Sequence, residues 1–96
     1  MPGEAPLFGS LLKTWRLRRK LSQLDLALEA DVSQRHLSFL ESGRSRPSRT
    51  MVLHLAVALD LPLRERNRLL HVAGFAAAYD ERSLDSADMT AVRQAL

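Results

Sequence analysis

Residues 33–48 read SQRHLSFLESGRSRPS. Leu37 and Leu40 stand three apart, Gly43 and Pro47 close the segment, and three arginines lie among small polar residues. That pattern predicts a short helix with one thin apolar stripe. Ser33 is suited to cap its start, and Gly43 is the residue type that most readily takes the left-handed conformation after a helix. Two leucines suffice to hold such a helix to a core. Its other face, with Gln34 and Arg35 near the start, is left to protrude.

The flanking sequence supplies the core. From Leu7 to Lys20 the apolar stripe Phe8, Leu11, Leu12 and Trp15 recurs at i, i+3, i+4 and i+7, which predicts a first helix. Ser22 opens SQLD, a capping box with Asp25 in the glutamate position, and a second helix is expected to about Ala30. Asp31 and Val32 make a tight connection to the helix beginning after Ser33. Downstream, Arg44 to Ser48 reads as a loop, since Pro47 disfavours helix before it. Ser48 is expected to cap RTMVLHLAVALDL, which is apolar on nearly all sides. Pro62 suits the first turn of a fifth helix carrying Leu63, Leu69, Leu70 and Ala73 and ending at Gly74. FAAAYDERSLDS follows without a clear pattern, and residues 86–96 are compatible with a last helix. The expectation is an all-α bundle of five helices with a C-terminal helical extension. Residues 1–7 are a flexible N-terminus, 8–75 the domain, and 76–96 the extension or the start of a linker.

Composition agrees and excludes much else. Ninety-six residues make one small domain, and 46% hydrophobic residues permit a core. Absence of cysteine rules out disulfides and cysteine-based metal sites. No apolar run reaches the ~18 residues of a membrane span, and MPGEAPLFGS lacks the regions of a secretory signal, so the chain is read as cytoplasmic. Between residues 10 and 50 there are nine basic residues against four acidic ones, a net of +5, while residues 51–96 come to −1. A basic half on a nearly neutral remainder points to a polyanion. A protruding helix that starts with Gln34 and Arg35 fits the major groove of DNA, where Arg pairs with guanine and Gln with adenine. The amides at the starts of the second and third helices suit phosphates.

The stretch LSQLDLALEADVSQRHLSFLESGRSRPS, with Leu55-Ala56 and Ala58-Leu59 beyond it, resembles the helix-turn-helix of Cro-type phage repressors and the wider XRE family of bacterial regulators. The resemblance covers roughly residues 10–61. It implies a Cro/lambda-repressor-like fold and a DNA-binding transcriptional regulator. It puts Ser33, Gln34, Arg35 and Phe39 on base-reading positions, and Ser22, Ser42, Arg44 and Arg46 on or near phosphate-contacting ones. Gln23 matches a glutamine that touches phosphate and braces the reading helix. Arg16 and Glu41 match a buried ion pair between the first and third helices. Phe39 departs from the family, which usually has a polar residue there; the alternatives are contact with a thymine methyl and packing on the following loop. A narrower resemblance, from Ser33 to about Glu81, is to MmyB-like regulators. There the helix-turn-helix precedes a PAS-like domain, absent here, through which a small-molecule ligand would act.

Other features carry less. His36 lies on the reading helix, within reach of DNA or simply at the surface. His54 and His71 are structural or exposed; no two histidines share a helix face, so no metal site is expected, and no cofactor or catalytic constellation is apparent. Leu24, Leu28 and Val57 are expected to thicken the core, the alternative being an interface. Arg64, Arg66 and Arg68 read as a solvated helix surface. The partners expected are a double-stranded DNA operator and a second copy in a two-fold dimer, paired through apolar surface including Val57, Leu69 and Val72. Two rival classes are an antitoxin-like partner of a toxin and a protein-interaction module that has lost DNA binding.

Overall fold

The computed structural model describes residues 4–80, so the last helix expected at 86–96 lies outside the described residues. Five helices follow one another: α1 (Glu4–Arg18), α2 (Gln23–Ala30), α3 (Gln34–Ser42), α4 (Arg49–Ala58) and α5 (Leu63–Val72). Among the described residues there is no strand. Helix α1 packs on α3 and α5, α2 packs on α3 and α4, and α4 packs on α5. The core is drawn from every helix: Phe8 and Leu12, Leu26 and Ala30, Leu37 and Leu40, Val52 and Leu55, Leu69 and Leu70, closed by Leu59 and Leu61. Each α3 leucine is fully buried, as the thin stripe predicts.

The helix starts follow the serines. Ser22, Ser33 and Ser48 each accept a bond from the backbone N–H three residues on, satisfying an otherwise orphaned donor. The ends follow one device. Lys20, Asp31 and Asp60 take positive φ of 52–58°, as do Gly43 at 80° and Gly74 at 92°. After each, the next N–H reaches back five residues: Leu21 to Arg16, Val32 to Ala27, Arg44 to Phe39, Leu61 to Ala56 and Phe75 to Leu70. All five helices thus close in the Schellman manner. In four the residue that reaches back is apolar; after α3 it is Arg44.

Several expectations need correction. Helix α1 begins at Glu4, ahead of the Leu7 start set by the stripe. Helix α4 stops at Ala58 rather than running to Leu61. Pro62 disfavours helical geometry at Leu61, so the chain leaves through left-handed Asp60. Leu24, Leu28 and Val57 do not thicken the core; all three are more than half exposed. Leu69 is fully buried and cannot form part of a dimer surface. Arg66 is not a solvated side chain: its Nε donates to Leu61 O at 2.9 Å, and its guanidinium lies 5.9 Å from the Tyr79 ring.

Three contacts beyond the core set the packing. Gly9 is buried where α1 crosses the end of α3, and a Cβ there would lie 2.4 Å from Glu41 O and 2.6 Å from Leu40 O. At the other end of α1, Arg19 donates to Leu59 O (2.9 Å) and Asp60 O (3.0 Å), placing a cation on the carbonyl end of α4. Buried Asn67 of α5 accepts from the N–H groups of Ala78 and Tyr79 and donates to Tyr79 O at 2.7 Å. Its amide thereby ties the segment after Gly74 to the bundle.

Gly9→Ala pits helix propensity, about 1 kcal/mol in favour of alanine, against overpacking on backbone atoms that cannot rotate away. The clash is expected to win, with a net loss of about 1–3 kcal/mol. A urea denaturation midpoint equal to or above that of the parent would show that α1 and α3 separate freely.

Candidate nucleic-acid interface

Helices α2 and α3 meet through Asp31, Val32 and Ser33, and their starts lie on serine caps. The two starts differ electrostatically. At α2, Ser22 N–H donates to Asp25 Oδ2 (3.1 Å) and Asp25 N–H donates to Ser22 Oγ (2.9 Å), so a carboxylate already sits on the positive end of the helix dipole. The Ser22 backbone N–H, and after it the Ser22 hydroxyl, hold the Asp25 carboxyl below its ordinary pKa. At α3, Ser33 Oγ accepts from His36 N–H at 3.0 Å, and no acidic residue occupies the first turn. The start of α3 is therefore the more favourable end for an anion.

On α3, Ser33, Gln34 and Arg35 are exposed, and His36, Ser38 and Phe39 are half-buried. The Phe39 ring has two guanidinium groups over it, Arg35 at 5.5 Å and Arg44 at 5.2 Å from its centroid. Two positive charges, one from α3 and one from the loop after it, are thus held within reach of one aromatic ring, a contact that the ring quadrupole favours. The Phe39 carbonyl also accepts from the N–H groups of Arg44 (2.9 Å) and Ser45 (3.2 Å), and from Ser42 Oγ (3.2 Å). The loop after α3 is folded back onto Phe39, with the Arg44 guanidinium over its ring. Arg46 is exposed beside it, while Pro47 is buried.

Beneath this surface lies a polar knot. Arg16 Nε donates to Glu41 Oε2 at 2.6 Å and Arg16 Nη2 to Glu41 Oε1 at 3.1 Å, a two-point contact between α1 and α3. Arg16 Nη1 donates to Leu21 O (2.9 Å), and Gln23 Nε2 donates to Glu41 Oε1 (3.1 Å). The ion-paired side chains retain only 9% and 5% of their accessible surface. One carboxylate therefore joins α1, the start of α2 and α3. Gly9, Asn67 and the contact of Phe39 with two arginines are absent from the sequence-based site. A glycine inside an amphipathic helix was the available signal for Gly9; Asn67 left none, because its bonds to Ala78 and Tyr79 are to backbone atoms.

Among the described residues no cluster of histidine, aspartate or glutamate could hold a metal, and no helix is long and apolar enough to cross a membrane. The five-helix order, the short α2–α3 turn and the exposed start of α3 define a helix-turn-helix domain. A family model for the helix-turn-helix (HTH_3) matches residues 12–66, more than half of the chain. The chain belongs to this XRE-type helix-turn-helix family of DNA-binding domains. Comparison with curated proteins and with solved structures returns no significant match.

Glu41→Ala strands Arg16 in a site nearly closed to water and should cost roughly 3–5 kcal/mol, whereas replacing both partners by apolar residues should cost less. Calorimetric melting of the single and double variants tests this; equal losses would show that the charge pair itself is not the issue. A second expectation concerns acid. A carboxylate whose pKa falls on folding contributes stability above its unfolded pKa and loses it as pH drops through the folded value. Asp25 should therefore titrate below the ordinary aspartate range, and α2 should lose its cap only under that acid condition. A carboxyl carbon NMR titration with a normal or raised midpoint for Asp25 would contradict the capping box.

Proposed function

We propose that the chain is a sequence-specific reader of double-stranded DNA that regulates transcription in the cytoplasm, with α3 in the major groove. The observation that carries this reading is Arg35 and Gln34, exposed at the acid-free start of a helix bordered by Arg44 and Arg46. Arg35 pairs with a guanine edge and Gln34 with an adenine edge, two contacts that their donor and acceptor groups suit. Ser33 adds a hydroxyl at the same end. Phe39 aims both arginines and reaches DNA only through them or through a thymine methyl. Arg44, Arg46, Ser42, Ser22 and Gln23 grip or brace against phosphates; of these, Gln23 is itself held by Glu41.

A single short helix reads few base pairs, so two copies on half-sites about one helical turn apart multiply the discrimination. Val57, exposed at the end of α4, and half-buried Val72 remain available for two-fold pairing; Leu69 does not. The resemblance of residues 33–81 to MmyB-like regulators supports a further reading, in which this domain answers to a ligand-binding domain elsewhere in a longer protein.

Selection of bound duplexes from a random pool tests the proposal. A palindromic pair of half-sites is expected, and no enrichment would refute sequence reading. On the selected site Arg35→Ala should cost about 1–3 kcal/mol and relax preference at one base pair. A loss spread evenly over specific and random DNA would make Arg35 a phosphate contact instead.

A further inference from the structure

Two exposed faces of the bundle, one on α2 and one on α1, match each other in apolar character and in charge. On α2, Leu24 and Leu28 are 51% and 72% exposed and lie one turn apart on one row. Asp25 and Glu29 form the adjacent row, Asp31 follows, and the helix has no basic residue. On α1, Leu17 is 56% exposed. Lys13 lies one turn before it, and Lys20 stands in the turn just after the helix. Among the described residues, Lys13, Lys20, Glu29 and Asp31 have no ion-pair partner. Leu17, Leu24 and Leu28 all stay more than half exposed, so neither face covers the other within one chain.

We infer that the α2 face of one copy docks on the α1 face of a second copy, leucine against leucine with the acids of α2 opposite Lys13 and Lys20. The contact is heterologous: each chain keeps one unused face of each kind, so copies add head to tail in an open row. It differs from two-fold pairing through Val57, where one surface meets itself. The apolar area is small, which makes the contact weak and transient, and the charges orient it at low ionic strength. It needs no DNA, and it stands or falls apart from the proposed function.

Because the chain has no cysteine, engineered thiols report the geometry directly. Leu17→Cys and Leu28→Cys variants of the full chain are mixed under mild oxidation at low salt, and disulfide formation is followed with time. The mixed pair should cross-link about tenfold faster than either variant with itself, because only that pair is brought together by docking. Glu29→Lys added to the Leu28→Cys chain should slow it, and Lys13→Glu added to the Leu17→Cys chain should restore it. Circular dichroism of each variant confirms that the helices persist. Equal rates for mixed and single-variant samples would overturn the proposal. A fastest reaction of Leu28→Cys with itself would also overturn it and indicate a symmetric α2 contact.

Discussion

The carboxylate of Glu41 is the point on which the arrangement of α1, α2 and α3 depends. It accepts from Arg16 at two atoms and from Gln23 at one, so a charge near the end of α3 fixes the two preceding helices together. A buried ion pair adds little net stability over an apolar pair of equal volume, because both charges must leave water. Its consequence here is geometric: a two-point contact admits one register of α1 along α3. Gly9 makes that register reachable. Without a Cβ, α1 approaches the carbonyls of Leu40 and Glu41 at the same end of α3. The close approach and the ion pair are two parts of one constraint, and the exposed face of α3 takes its angle from both.

The helix ends show how much follows from a local rule and where one end departs from it. Five left-handed residues end five helices, and each is followed by the same five-residue return bond. The residue after the turn is Leu21, Val32, Leu61 or Phe75 in four cases, all buried or half-buried, as an apolar contact onto the preceding turn requires. After α3 it is Arg44, and the residue it returns to is Phe39. The apolar contact has become a cation on an aromatic face. Among the five, this is the helix end where the usual packing residue is exchanged for a charge, and exposed Arg35 and Arg46 lie on the same helix and loop.

Charge also separates the helix starts. The capping box places Asp25 on the positive end of α2, where it offsets the helix dipole and repels an anion. Helix α3 has the same serine cap with no carboxylate. Of two adjacent helix starts, the sequence neutralises one and leaves the other positive. That asymmetry makes the start of α3 the more favourable end for an anion, and it leaves α2 with an acidic outer face.

The sequence by itself determined the helices. Serine caps, the capping box, Gly43, Gly74 and the three-and-four spacing of Phe8, Leu12, Leu37 and Leu40 act within a few residues, so they are legible without a fold. The helix-turn-helix followed from the same local signals. What only the tertiary structure decided depends on neighbours distant in sequence. Arg16 and Glu41, 25 residues apart, are matched in the sequence only by the family resemblance, since no local signal joins them; the missing Cβ of Gly9 is what lets α1 close on α3 there. Leu24 and Leu28 are left exposed because their row on α2 faces away from α3 and α4, and apolar residues do not announce which row has a partner. Asn67 binds main-chain atoms of Ala78 and Tyr79, which carry no side-chain signal to read. Phe39 joins Arg35 and Arg44 because the Gly43 turn brings the loop back over α3. Caps and periodicity are properties of a segment, whereas burial and pairing are properties of the space between segments.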